Sequence, residues 1–257
     1  MEIENTPILG GTAPRHAFRT AHKLASFALC YVDSIQSGFE VQRYLDVGCG
    51  NGFITELVAP GFDEIVGIDI EDVRLQEFRS RVILRPNFRI LLMSADKLDF
   101  PNEFFSLITC FEVLEHVADL NSTVQEIIRV CRRGGVIVTS TPQVWFPFEN
   151  HGARIGSRTY SCKIPLLPWV RPLHRKYSLA RVFSSGEMDR LFLSRETELL
   201  GTNYASPQFE RAAARQGSWE SRFVFLRDVL DRCEKLPVLR VLTGVSMLKA
   251  YRKQLRS

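Results

Sequence analysis

The stretch Tyr44-Leu-Asp-Val-Gly-Cys-Gly-Asn-Gly-Phe53 carries an apolar strand directly into three glycines at alternate positions. Glycine lets a backbone turn tightly and come close to a ligand. A dinucleotide-binding GxGxxG turn would need its third glycine at position 53, which holds Phe53. The stretch therefore predicts a ligand-binding turn between a strand and a helix, and favours a ligand without a pyrophosphate.

Strands and helices alternate around this turn. Apolar runs predict strands over 43–47, 64–68, 88–93, 105–111 and 135–140, and helical spacing predicts helices over 17–35, 54–59, 73–82 and 120–131. The alternation predicts βαβ units and a doubly wound, Rossmann-like α/β sheet. Beyond Pro142 we expect an irregular insertion, then a helix capped by Ser184 or Ser185. A strand over 197–204, a helix over 219–233 and a last strand over 245–251 should follow.

Composition and charge limit the classes of function. The 257 residues carry a net charge of +4, too weak to indicate nucleic-acid binding. Six singly spaced cysteines form no CxxC pair, and we see neither a signal peptide nor an apolar run of membrane-spanning length. These features predict a cytoplasmic protein. Residues 151–183 hold seven basic side chains and no acid, which favours contact with an anionic substrate or a membrane surface.

Two acids follow neighbouring strands. Asp69 ends the second predicted strand, 21 residues after Gly48, and Asp96 follows the third. Open α/β sheets bind ligands at the carboxyl ends of their strands, where an acid can accept the hydroxyls of a ribose. Asp96 could accept a hydrogen bond from an adenine amino group.

Four motifs resemble those of class I S-adenosylmethionine-dependent methyltransferases: YLDVGCGNG, IVGIDI, SADKLDFPNEFFSLITCFEVLEHV and RRGGVIVTSTP. The resemblance covers about residues 40–142 and is strongest to the small-molecule branch that includes ubiquinone-pathway O-methyltransferases. It implies a seven-stranded sheet whose last strand is antiparallel. It also implies a set of residues that bind the S-adenosylmethionine cofactor: Asp46, Gly48, Gly50, Asp69, Asp96 and Phe111.

The resemblance also sets the expected organisation of the chain, a single methyltransferase domain over 1–257. Residues 1–39 would form an N-terminal arm and helix, and 40–142 the cofactor-binding core. Residues 143–183 would form a lid that contacts the substrate. Residues 184–257 would complete the sheet, with a helical insertion.

Glu112-Val-Leu-Glu115-His116 is a candidate metal site, because a helical turn would place both carboxylates and the imidazole on one face. Similar ExxEH strings in terminal-RNA 2′-O-methyltransferases hold a divalent ion beside the substrate oxygen. His151 is the best fourth ligand and His174 the second. His151 is equally a candidate catalytic base for a hydroxyl, because histidine ordinarily titrates near neutral pH.

We predict methyl transfer to a small-molecule acceptor such as a glycan, quinone, lipid or secondary metabolite. A metal-assisted 3′-terminal RNA 2′-O-methyltransferase and a non-catalytic cofactor-binding scaffold remain alternatives, with a nicotinamide dehydrogenase more distant. The acceptor, the methylated atom and the oligomeric state are left open by the sequence.

Overall fold

The structure, a computed structural model, describes residues 18–35, 41–160, 164–193, 196–205 and 236–255. Its helices are α1 (Phe18–Leu29), α2 (Phe53–Val58), α3 (Asp72–Val82), α4 (Leu120–Val130), α5 (Arg171–Tyr177), α6 (Ser185–Phe192) and α7 (Pro237–Thr243). Its longer strands are β1 (Arg43–Val47), β2 (Glu64–Asp69), β3 (Phe88–Leu92), β4 (Phe105–Phe111), β5 (Cys131–Pro142), β10 (Thr197–Ala205) and β11 (Ser246–Lys253). Four short strands lie between β5 and α5: β6 (Phe148–Glu149), β7 (Ala153–Ile155), β8 (Arg158–Tyr160) and β9 (Ile164–Pro165).

Seven strands form one sheet in the order β10-β11-β5-β4-β1-β2-β3. Strands β1 to β5 pair in parallel, and β11 pairs antiparallel with both β5 and β10. This confirms the predicted Rossmann-like sheet with an antiparallel last strand. The predicted N-terminal arm and the predicted helix over 219–233 lie outside the described residues.

Helices cover both faces of the sheet because alternate strand residues point to opposite sides. On one face, Leu45 and Val47 pack with α4 and α6. On the other face, Tyr44 packs with Leu24 of α1 and Val58 of α2. Among the described helices, none has the length and apolar character needed to cross a bilayer.

The start of β5 differs from the prediction. We expected α4 to end near Cys131 in a glycine stop and a strand to begin at 135, but α4 ends at Val130 and β5 begins at Cys131. Lys253 of β11 donates hydrogen bonds to the carbonyls of Ile128 and Cys131, at 2.8 and 3.0 Å. A lysine from a distant strand thus satisfies carbonyls at this helix end. Gly134 also has a positive φ, of 75°, in the irregular stretch before Val136 pairs with Leu107.

The segment between β5 and α6 is the irregular insertion that the proline-rich sequence predicts. Two short hairpin-like pairings, β6 with β9 and β7 with β8, precede α5. Ser184 then caps α6, as predicted, and Glu187 completes a capping box with it. The insertion follows β5 directly, which places it beside the carboxyl ends of the parallel strands. A lid function for it stays a prediction.

Candidate active site

The carboxyl ends of the parallel strands lie along one edge of the sheet. The strands β1, β2, β4 and β5 end there at Val47, Asp69, Phe111 and Pro142. The glycine turn follows the first of these ends. Its start is fixed to the neighbouring strand, since the amides of Gly48 and Cys49 both donate to the Ile68 carbonyl, at 2.8 and 2.9 Å. Residues far apart in sequence therefore meet at this edge.

The three glycines of the turn are needed for different reasons. All have positive φ, at 74° for Gly48, 53° for Gly50 and 78° for Gly52. A Cβ atom would lie 2.1 Å from the Val113 side chain at Gly48, and 2.2 Å from the Phe78 ring at Gly52. At Gly50 its nearest neighbour would be the flexible end of Arg74, at 3.6 Å. Gly48 and Gly52 thus allow close packing, whereas an added Cβ at Gly50 would make only an ordinary contact with the Arg74 side chain.

Asp69 joins the end of β2 to the glycine turn. Its Oδ2 accepts a hydrogen bond from the Gly50 amide at 2.8 Å, and its Oδ1 accepts one from the Glu71 amide at 2.9 Å. An ionised carboxylate offers about four acceptor positions. Two acceptor positions of Asp69 therefore stay available beside the turn, and a nucleoside ribose has two hydroxyls that could donate to them.

Asp46 lies below the turn and is only 3% exposed. Its two oxygens accept hydrogen bonds from Thr55 at 2.6 Å and Thr109 at 2.7 Å. Burial raises the pKa of Asp46 to about 6, although these hydrogen bonds oppose the shift. The side chain thus ties β1 to α2 and β4, an internal role that its place in the motif did not reveal.

The other two predicted cofactor residues lie at the same edge but in different surroundings. Asp96 is exposed in the turn after β3. Phe111, the last residue of β4, is 7% exposed and packs in the cluster that contains α1. The edge therefore offers one exposed acid after β3 and one apolar ring at the end of β4, with β1 and β2 between these two strands.

Glu115, His116 and His151 form a compact group in which one ligand atom from each lies within 4.8 Å of the others. The Oε1 atom of Glu115 is 3.9 Å from Nε2 of His116 and 3.9 Å from Nε2 of His151. Two ligands that each lie about 2.1 Å from one ion can span about 4.2 Å. The group is therefore compatible with one divalent cation.

The carboxylate of Glu115 is buried without a hydrogen-bond partner among the described residues. Burial raises its pKa well above the usual range, and the neighbouring Glu112 raises it further. Burial also lowers the pKa of His116 to about 4, with help from His151 and Arg181. A neutral imidazole can bind a cation directly, and the Glu115 carboxyl group can do so once it releases its proton, so this donor set fits the predicted metal.

Glu112 lies beside this group and not within it. The chain turns sharply at Glu112, whose φ of 54° is unusual for a residue with a side chain. Its Oε1 accepts a hydrogen bond from Ser140 of β5 at 2.7 Å. The ExxEH string thus supplies Glu115 and His116 to the group, and His151 from the insertion completes it.

A second buried network holds His151 in place. The Oε1 atom of Glu149 accepts a hydrogen bond from the His151 amide at 2.7 Å and lies 3.5 Å from the His151 Nδ1. Its Oε2 atom contacts His174 Nε2 at 2.5 Å and accepts from Ser178 at 3.0 Å. Burial raises the pKa of Glu149, but hydrogen bonds from His151 and His174 outweigh it and lower the pKa to about 2.

Sequence reasoning missed Glu149 and gave His174 a different role. His174 is 2% exposed and faces Glu149, whereas it was predicted as an alternative metal ligand. The only signal was an acid two residues before His151. Its partners on and after α5 are 25 and 29 residues away in sequence, a distance that no local pattern specifies.

Known proteins are similar in sequence to the central part of this chain. Residues 45–139 match the methyltransferase domain family. A ubiquinone biosynthesis O-methyltransferase from Nitrosomonas europaea is 30% identical over 131 residues, which cover 50% of this chain and 55% of that protein. The chain thus spans about half the length of the curated relatives that it matches.

Solved structures share the fold across most of the chain. An S-adenosylmethionine-dependent methyltransferase from Mesorhizobium loti has a TM-score of 0.58 and 17% identity, and the match covers 93% of this chain and 99% of that one. A geranyl diphosphate C-methyltransferase from Streptomyces coelicolor, solved with Mg²⁺, geranyl diphosphate and S-adenosylhomocysteine, has a TM-score of 0.61 and 18% identity, covering 92% and 80%. The sheet order, the glycine turn and the family match identify residues 45–139 as a class I S-adenosylmethionine-dependent methyltransferase domain.

Proposed function

We propose that this chain is an enzyme that transfers the methyl group of S-adenosylmethionine to a hydroxyl oxygen of a small molecule. The observation that carries the proposal is the hydrogen bond by which Asp69 accepts from the Gly50 amide, at the carboxyl ends of the parallel strands. The Nitrosomonas relative is an O-methyltransferase, which supports oxygen as the acceptor atom. Cytoplasmic localisation remains a prediction from the sequence.

The cofactor would lie along the carboxyl ends of β1, β2 and β4. Asp69 would accept the ribose hydroxyls with its remaining lone pairs. The backbone at Gly48 and Gly50 would face the methionine part, Asp96 the adenine amino group, and Phe111 the apolar wall. Asp46 acts below them by holding the turn through Thr55 and Thr109.

The sulfonium group supplies a methyl group that is already activated, so the chain's own work is alignment and exclusion of water. His151 lies on the acceptor side, after β5, with its Nε2 towards Glu115 and its Nδ1 towards Glu149. In this position its Nε2 would accept the proton that the acceptor hydroxyl loses. Glu149 would keep the ring in that orientation.

A divalent cation between Glu115, His116 and His151 is a second part of the proposal. The buried, unpartnered carboxylate of Glu115 supports it. A cation held there would act as a Lewis acid, favouring the deprotonated form of a nearby hydroxyl. His151 would then serve as a ligand instead of a base, and Glu112 would stabilise the ligand turn through Ser140.

Binding of S-adenosylhomocysteine tests the cofactor proposal. Calorimetry should show binding to the wild-type protein. Asp69→Ala should weaken binding by roughly 1.5–3 kcal/mol, or about 10- to 150-fold, the range for hydrogen bonds to a charged group. Asp72→Ala, an acid three residues further on at the start of α3, is the matched control and should bind as the wild type does. Equal affinity in the Asp69 variant would remove Asp69 from the cofactor site.

Transfer of a radiolabelled methyl group to a cell lysate tests the acceptor class. The proposal predicts label in the small-molecule fraction, and its loss in His151→Ala. Label in the RNA fraction would indicate the terminal-RNA alternative. Binding of S-adenosylhomocysteine with no labelled product in any fraction would instead favour a non-catalytic scaffold.

A further inference from the structure

A cavity of about 970 Å³ opens between α5, α6 and the start of α4, next to the group of Glu115, His116 and His151. Its wall includes Glu115, so the cavity reaches the group formed with His116 and His151. The chain that forms the opposite wall is tied to the same residue, because the Arg181 amide donates to the Glu115 carbonyl at 3.1 Å. The cavity therefore adjoins this group at Glu115, although the Glu115 carboxylate itself is buried.

Four arginines line this cavity: Arg171, Arg175, Arg181 and Arg190. Two are fixed in the wall. Arg171 donates to the Val182 carbonyl and pairs with Glu187, and Arg181 donates to the carbonyls of Val117 and Ala118. Among the described residues that line the cavity, Glu187 is the only acid besides Glu115, so arginines outnumber acids there.

Arg175 on α5 and Arg190 on α6 are the two exposed arginines of the cavity. The guanidinium groups of Arg171 and Arg181 are instead hydrogen-bonded within the wall. The wall also carries apolar side chains, among them Leu120, Phe183 and Leu191. The cavity thus combines apolar and cationic side chains.

We propose that this cavity binds the methyl acceptor, and that the acceptor is an organic anion with an apolar body whose carboxylate or phosphate meets Arg175 and Arg190. The inference rests on the proposed methyl transfer for its reacting end, on the side of the cavity where Glu115 lies. Its anionic end is assigned by charge alone. Arginine pairs with either anion in a bidentate geometry, so the two head groups share one recognition chemistry.

A small molecule fits this cavity better than a polymer does. Pockets for small ligands usually enclose about 300–1,000 Å³ with mostly apolar walls and few polar groups. Single-stranded nucleic acid instead uses long basic grooves with aromatic side chains on which bases stack. The lining contains one aromatic ring that is not a histidine, Phe183, and it is 4% exposed.

The test uses three fluorescent probes with the same body, 2-naphthoate, 2-naphthyl phosphate and the neutral 2-naphthamide. Each is titrated into the full chain saturated with S-adenosylhomocysteine. At least one of the two anions should bind at least tenfold more tightly than the amide. Arg175→Gln with Arg190→Gln should remove that advantage and leave the affinity for S-adenosylhomocysteine unchanged. A preference for one anion assigns the head group.

A matched control is Arg154→Gln with Arg158→Gln, two exposed arginines of the β7–β8 pair that do not line the cavity. This variant should keep the anion preference. Equal binding of amide and anions, or equal loss in the control, would overturn the inference. So would binding of anionic vesicles or of an RNA oligonucleotide that depends on Arg175 and Arg190 when no naphthyl anion binds. If S-adenosylhomocysteine fails to bind but the arginine-dependent preference is present without it, the proposed function fails and the anion site stands.

Discussion

His151 Nε2 lies 3.9 Å from Glu115 Oε1, although the two residues come from different loops. One loop follows β4 and the other follows β5. The pairing of those strands, with Phe111 opposite Ser140, brings the loops together. Because the two side chains lie this close together, a substitution at Glu115 tests whether they bind one cation.

The cation proposal predicts that the wild-type protein binds Mn²⁺ and that Glu115→Gln weakens this binding at least tenfold. The reason is that the amide removes the only anionic ligand of the Glu115, His116 and His151 group. Titration followed by electron paramagnetic resonance measures free Mn²⁺ directly. Glu64→Gln, on β2 and paired with Arg43, is the control and should bind as the wild type does. Equal Mn²⁺ binding by the Glu115 variant would leave His151 as a base without a cation.

Glu149→Gln should lower kcat without changing the affinity for S-adenosylhomocysteine. Glutamine has one acceptor oxygen, so it cannot serve the His151 amide and the His174–Ser178 pair together. The unfolding free energy should fall by about 1–3 kcal/mol, the cost of a buried polar group left unsatisfied. Denaturant unfolding and steady-state kinetics check the two parts. Glu149→Asp keeps the negative charge in a shorter side chain, so it should retain more of kcat than Glu149→Gln does. If Glu149 had a purely structural role, keeping the charge would bring no such advantage.

Gly48→Ala should destabilise the fold through its contact with Val113. Left-handed backbone strain costs about 1–2 kcal/mol and overpacking a further 1–3 kcal/mol. Gly61→Ala is the control for strain alone, since its φ is 96° and nothing lies within 4 Å of the added Cβ. Adding Val113→Ala to Gly48→Ala should recover part of the loss in thermal denaturation. No recovery would show that Val113 is not the obstacle.

Gly50→Ala should cost less stability than Gly48→Ala and should weaken cofactor binding. Its Cβ would meet only Arg74 at 3.6 Å, so the stability loss should stay near the about 1–2 kcal/mol of backbone strain. The same Cβ projects into the space assigned to the cofactor, so the affinity for S-adenosylhomocysteine should fall at least tenfold. Calorimetry that shows full affinity would place the cofactor elsewhere along the turn.

Asp46→Asn should change how stability depends on pH. The folded pKa of about 6 exceeds the ordinary 3.8, so the folded state binds more protons within this window. The unfolding free energy of the wild type therefore falls as pH rises from 3.8 to about 6, by roughly 3 kcal/mol for a shift of this size. The asparagine variant should lack that part of the slope. Asp33→Asn, an exposed acid in the turn after α1, should keep it.

The sequence by itself determined the βαβ order, the parallel sheet and the glycine turn. Apolar period and glycine placement are local properties, and they predicted β1 and β4 with their observed bounds. The same local logic placed Asp69 at the end of a strand, where open α/β sheets bind their ligands. Helix capping is local in the same way: the side chain of Asp119 accepts a hydrogen bond from the Ser122 amide at the start of α4.

Only the tertiary structure decided which of these residues meet. Lys253 donates to a carbonyl at the end of α4, and the Val113 side chain packs against Gly48; both contacts join segments that no local pattern relates. Glu149 and His174 lie 25 residues apart within an insertion that has no helical or strand period to predict their pairing. Long-range burial selects such contacts through desolvation and hydrogen bonding, which act on the folded packing and leave no local pattern in the chain.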